Sequence, residues 1–183
     1  QPINCGMTAK DTIACKPFLL IAKSYDSADA TIISRKWILT TCGGAFVASS
    51  NSNSVSFPYI FPNPGCYCLS LLSKRANGDS CYFQQCNIVV ADTPTINMIF
   101  APTEACVPVI IHDTCNVTTS TGTISNIIIQ PGCGPAVQIP SCPANPISLP
   151  FNNCAPGYYD VTVVAVNNVG CSGTKHYNNV IHI

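Results

Sequence analysis

Along this chain the apolar residues fall in short runs, many β-branched or alternating with polar residues, punctuated by turn formers about every ten positions. A two-residue period belongs to strands with one buried face. Proline and glycine together occupy 26 positions spread along the whole length, so no stretch keeps a 3.6-residue period long enough for a helix. The pattern predicts strands over residues 18–23, 31–39, 54–57, 65–73 and 81–90, and again over 107–112, 123–130, 147–151, 157–167 and 175–183. Short strands with regular turns predict an all-β chain of antiparallel sandwiches.

The chain also repeats itself. Cys15, Cys42 and Cys81 recur as Cys106, Cys133 and Cys171 at an offset of 90 or 91 residues. Neighbours travel with them: Cys15-Lys16-Pro17 answers Cys106-Val107-Pro108, Cys42-Gly43 answers Cys133-Gly134, and Pro64-Gly65-Cys66-Tyr67 answers Pro156-Gly157-Tyr158-Tyr159. Such a repeat is too long for a solenoid unit and right for one small domain. Two domains are expected, residues 1–92, opening with an extension over 1–14, and residues 93–183. The boundary falls in Ala91-Asp92-Thr93-Pro94-Thr95, whose proline stops the last strand of the first copy. So short a linker implies a semi-rigid pair.

Cysteine content turns plain sheets into stapled ones. Thirteen cysteines in 183 residues would stay reduced in a cytosol, so the expected setting is oxidising and extracellular. The close cysteines are Cys66 and Cys68, and the histidines, His112, His176 and His182, are scattered; no metal site and no cofactor is expected. Charge is scarce as well. Only 9% of residues are charged, against about 25% in ordinary soluble domains. Eight basic and eight acidic residues leave no basic stripe for nucleic acid, since Arg35-Lys36 and Lys74-Arg75 are isolated pairs. Such a surface lacks the repulsion that keeps proteins apart. Either it is buried against other copies of the chain, or glycans and Ser, Thr and Asn side chains hydrate it. The sequon Asn116-Val117-Thr118, which opens the polar tract 118–123, is the candidate glycosylation site. The longest apolar runs, such as 18–22 and 127–129, fall far short of the roughly 18 residues of a membrane span.

Catalytic groupings are weak. Asp26 and Asp29 could pass for a carboxylate pair or a calcium loop, but they lie in a turn where Asp is favoured for local hydrogen bonding. His112 stands beside Asp113 with no nucleophile placed against it, and there is no GxSxG elbow, HExxH helix or phosphate-binding glycine loop. Cys66 and Cys68 point to one face of a strand and are expected to meet separate partners rather than form a redox pair. No catalytic residue is assigned and an enzyme is not expected. The single tryptophan, Trp37, is assigned to the core rather than to a stacking platform.

The stretch from Ser24-Tyr25-Asp26 through Asp29 to Trp37, followed by Cys42-Gly43-Gly44, resembles the acidic turn, strand and tryptophan of PKD domains. Phe57-Pro58-Tyr59-Ile60-Phe61-Pro62-Asn63-Pro64-Gly65-Cys66-Tyr67 is similar to that family's F-x-x-PGxY segment, and residues 151–159 repeat it. Residues 161–171, ending in Asn167-Asn168-Val169-Gly170-Cys171, resemble the closing strand of such modules in bacterial surface proteins. The resemblance implies two tandem Ig-like sandwiches stapled by disulfides. It further implies that Cys15 pairs with Cys81 and Cys106 with Cys171, each closing a long loop, while the repeated Cys42 and Cys133 also belong to the module's disulfides.

With seven cysteines in one copy and six in the other, at least one is unpaired within the chain. It is either a free buried thiol or a link to another subunit, for which Cys5 is the candidate because it precedes the first module strand. The same N-terminal segment is a candidate for strand addition to a neighbour. These features together lead us to expect an extracellular structural protein that assembles with copies of itself, as in a surface filament or adhesive appendage. The alternative is a carbohydrate- or protein-binding accessory module of a larger secreted enzyme or adhesin; an exposed aromatic row would favour it, whereas Tyr59, Tyr67 and Tyr159 fall at core or turn positions of the resembled family.

Overall fold

The computed structural model describes residues 3–9, 11–51 and 53–183, and these form fifteen strands without a helix. The chain divides into two compact units, Gln1–Ala91 and Asp92–Ile183.

In the first unit the strands are β1 (Met7–Ala9), β2 (Ile13–Cys15), β3 (Phe18–Ser24), β4 (Ile32–Thr41), β5 (Phe46–Ser50), β6 (Ser56–Phe61), β7 (Gly65–Arg75) and β8 (Ser80–Ala91). They make two sheets, β1-β3-β6 and β2-β8-β7-β4-β5. Every pairing is antiparallel except β2 on β8, where Ile13, Ala14 and Cys15 run parallel to Val89, Val90 and Ala91. The N-terminal chain thus serves both sheets. Alternation builds the core: Phe18, Leu20 and Ala22 point inward from β3 and meet Trp37 and Leu39 of β4, Leu69 and Leu71 of β7 and Ile88 and Val90 of β8. Trp37 is fully buried, stacks on Phe57 with ring centroids 5.9 Å apart, and donates its indole N–H to the Ser54 carbonyl at 3.0 Å.

The second unit repeats this plan with β9 (Thr95–Ala101), β10 (Val109–Thr118), β11 (Ile124–Pro131), β12 (Val137–Ile139), β13 (Ile147–Phe151), β14 (Tyr158–Asn167) and β15 (Ser172–His182). Its sheets are β13-β10-β9 and β12-β11-β14-β15, and Ile111, Ile127, Ile129, Leu149, Phe151, Val161 and Val163 fill the space between them. The place of β2 is taken by a parallel bridge from Glu104 to His182, flanked by hydrogen bonds linking Ala105 and Thr103 to the His182 backbone. In both units the tyrosine of the Pro-Gly motif turns its hydroxyl back on the chain: Tyr67 donates to the Asn63 carbonyl at 2.9 Å and Tyr159 to that of Ala155 at 2.6 Å. Two facing sheets and these tyrosine corners, with a buried tryptophan on a central strand of the first unit, define Ig-like β-sandwiches.

The cysteines correct two of the expected pairings. Cys81 is bonded to Cys5, not to Cys15, and Cys106 is a free, exposed thiol rather than the partner of Cys171. The reason is the strand switch. Because β2 runs parallel to the end of β8, Cys15 lies opposite Ala91, about 33 Å along the strand from Cys81 at 3.3 Å per residue; a disulfide needs Cα atoms within about 7 Å. The bridge from Glu104 to His182 separates Cys106 from Cys171 in the same way. Neither Cys15 nor Cys171 is a free thiol. Cys5 is likewise no intersubunit thiol, and β1, β2 and the Cys5–Cys81 bond commit the N-terminal segment to its own unit, against its use as a donated strand.

Cys42, just after β4, bonds Cys66 at the start of β7, and Cys133, just after β11, bonds Cys154 ahead of β14, so each bond ties a strand's end to its antiparallel neighbour. Cys68 bonds Cys86 across β7 and β8 beside a β-bulge, and Cys115 bonds Cys142. Cys66 and Cys68 therefore have separate partners.

Candidate functional site

Strand alternation that fills the cores also decides what the outer faces carry. On the three-stranded sheet of the first unit, Leu19 and Ile21 of β3 stand directly opposite Ile60 and Pro58 of β6. Leu19 is 51% exposed and Ile60 63%. Lys23 is the charged residue this face presents from β3 and β6. The corresponding face of the second unit carries Ile110 opposite Pro150 and Ile99 opposite Thr114, with Ala101 and Asn, Thr, Ser and His residues at the other outward positions and no Asp, Glu, Lys or Arg. Leu19 and Ile110 are equivalents at the repeat offset of 91. Each unit thus shows solvent a nearly uncharged sheet with an apolar centre.

A second feature is a cleft of about 920 Å³ in the first unit, at the turn between β3 and β4 and the hairpin end of β7. Its floor is fixed by two ion pairs. Asp26, buried, accepts from Ser24 and from Arg35 Nε at 2.8 Å, while Arg35 Nη2 donates to the Asp26 carbonyl at 2.8 Å and Nη1 to Asn53 Oδ1 at 2.9 Å. Burial alone would raise this carboxyl, but the Ser24 hydrogen bond and the Arg35 guanidinium, with the Ser73 hydroxyl nearby, outweigh it and hold Asp26 below the usual carboxylate range. Asp29 accepts from the Thr31 amide and hydroxyl through Oδ1 and from Arg75 Nη2, 2.6 Å away, through Oδ2. Arg75 and Thr31 hold that carboxyl far below its ordinary value. Over this floor lies Tyr25, 52% exposed, with its amide bonded to the Gly6 carbonyl. A Cβ built on Gly6 would stand 2.2 Å from the Tyr25 ring, so only glycine lets the ring lie this close to the backbone.

No protein-family model matches the chain, and no curated protein matches it. Among solved structures, it is similar to fibronectin(III)-like modules of Clostridium thermocellum CbhA, with 12% identity, 93% of this chain and 91% of that one covered, and a TM-score of 0.42. It is also similar to an amphioxus IgVJ-C2 molecule, at 16% identity with 90% and 97% covered and a TM-score of 0.41. A third match is to carbohydrate-binding modules from the β-sandwich superfamily, at 13% identity with 96% and 95% covered and a TM-score of 0.41.

Other candidates named from sequence are dispersed. His112 and Asp113 face opposite sides of β10, the histidine outward and the carboxylate into the core. Asp113 is fully buried, and neither of its oxygens makes a hydrogen bond of normal geometry. Burial pushes it up to about 6, offset only in part by the Ile99 amide. Asn116 is exposed on β10 itself, opposite Asn97, on the same outer face as Ile110 and ahead of the polar loop 119–123. Among the described residues no group of three His, Cys, Asp or Glu side chains gathers as a metal site, and no helix is long and apolar enough to cross a membrane. Sequence reasoning missed Arg35 and Arg75 as the partners of Asp26 and Asp29. A signal for Arg35 was present, since it lies in step with Trp37 and Leu39, and an inward charge demands a partner.

Proposed function

We propose that this chain is a non-catalytic structural protein of the cell exterior, built of PKD-like modules and serving as the repeating subunit of a surface filament or adhesive appendage. The observation that carries this reading is the apolar, nearly uncharged outer face of each three-stranded sheet, centred on Leu19, Ile21 and Ile60 in the first unit and Ile110 and Ile99 in the second. Side chains of this kind left in water forgo about 25 cal/mol for every square ångström not buried. A face without like charges has nothing to oppose stacking against another copy of itself. Disulfides in both units support an oxidising, extracellular setting.

Electron microscopy and sedimentation test the proposal. Wild-type protein is expected to form fibres or oligomers, and the double variant Leu19→Glu, Ile60→Lys to stay monomeric with an unchanged circular dichroism spectrum. Wild-type protein that sediments as a monomer at its highest soluble concentration would overturn it.

A further inference from the structure

We infer that the cleft beside Tyr25 is a binding site for a neutral saccharide chain, a role separate from assembly through the sheet faces. Its size of about 920 Å³ falls in the range of pockets that enclose organic ligands. The aromatic platform comes first. Tyr25 is half exposed, yet the close approach of Gly6 and the amide bond to the Gly6 carbonyl fix its position, so little side-chain freedom is lost when a ligand covers it. A fixed ring with an apolar face and a polar tip suits the C–H face of a sugar ring, whose hydroxyls need partners around the rim.

Those partners are present. Asn4 lines the cleft with Asn77, whose side-chain amide exchanges hydrogen bonds with Asp79, and with Asp29, which accepts from Thr31 and Arg75; the second amide proton of Asn77, the Asn4 amide and the further lone pairs of these oxygens are what sugar hydroxyls would meet. Ile33, an exposed apolar residue on the same wall, adds a surface for ring carbons. Charge decides against an ionic ligand. Asp26 is paired with Arg35 at 2.8 Å and Asp29 with Arg75 at 2.6 Å, and Asp79 reaches the same Arg75 at 4.0 Å, so no unpaired positive charge on the floor attracts an anion and each carboxylate there has a cation beside it. An extended peptide would need a row of open backbone donors and acceptors, whereas the walls of this cleft present side chains from a turn and a hairpin end.

The experiment is a binding panel by calorimetry and glycan array. It uses neutral hexasaccharides of cellulose, chitin, mannan and xylan, an anionic oligogalacturonide, and a phage-displayed peptide library. It is run on wild-type protein and on the Leu19→Glu, Ile60→Lys variant, so that binding and polymerisation are read apart. At least one neutral saccharide is expected to bind both proteins. Tyr25→Ala should weaken it about tenfold or more, with Tyr25→Phe close to wild type. Asn77→Ala, away from the buried core, should weaken it as well and serves if Tyr25→Ala fails to fold. The inference is overturned if no neutral saccharide binds, if the anionic sugar or a peptide binds in its place, or if both Tyr25→Ala and Asn77→Ala leave affinity unchanged.

Discussion

Two buried acids give the units opposite responses to pH. Asp113 has its carboxyl raised to about 6 by burial, above the ordinary value of 3.8. Between those values the unfolded chain gives up its proton first, so stability falls as pH rises through that window and the deficit is complete above about pH 6. Asp113→Asn should therefore match wild type below pH 4 and exceed it by roughly 2 to 3 kcal/mol at neutral pH, read by calorimetry across pH. Asp26 behaves in the opposite sense. Held below its ordinary value by Ser24 and Arg35 against the cost of burial, it contributes stability at neutral pH that is lost as pH falls through the folded value. Arg35→Met would leave its buried carboxylate without a counter-ion, and we expect a loss of about 3 kcal/mol or more in the first unit's unfolding free energy. A change below about 1 kcal/mol would mean that the Ser24 hydroxyl suffices.

At the level of elements, the Pro-Gly-x-Tyr motif carries its meaning in one hydroxyl. Removing it in Tyr67→Phe or Tyr159→Phe unties the corner without emptying the core, so each change should cost about 1 kcal/mol and leave the far-ultraviolet spectrum intact. Long strands such as β3, β4, β7, β11 and β14 were legible because Phe18, Leu20 and Ala22, or Val161, Val163 and Ala165, repeat every second residue. β1, β2 and β12, three residues each, are too short to show a period, and β5 presents Phe46 to solvent. That is where the reading of the disulfides failed. Without β2 there is no way to see that Cys15 is carried to the far end of β8, or that Cys5 is left at the end where Cys81 lies. The cleft stayed hidden for a related reason: Gly6 and Tyr25, Asp29 and Arg75 are distant in sequence, and only the β1–β3 and β4–β7 pairings bring them together.

For the molecule as a whole, scarcity of charge becomes specific once placed. The proposed assembly, through faces that hold Lys23 in one unit and no charged residue in the other, should be nearly indifferent to salt in the range where ion pairs are screened, and should weaken on cooling as apolar contacts do. Light scattering against sodium chloride and temperature checks both, and dissociation by salt alone would point to charged contacts. Asn116 sharpens the choice between copies and glycans as the cover for this surface. It lies on the second unit's outer face, so a glycan there would shield that sheet and leave the Leu19–Ile60 face as the one open to a neighbour. The Cys5–Cys81 bond has a mechanical consequence. Under tension along the chain, that bond holds Cys5 and Cys81 together, so residues 6–80 between them cannot be drawn out end to end. Without that bond, the unravelled unit would lengthen several-fold more. A unit wired this way can lose its fold under strain without releasing the full length of its chain.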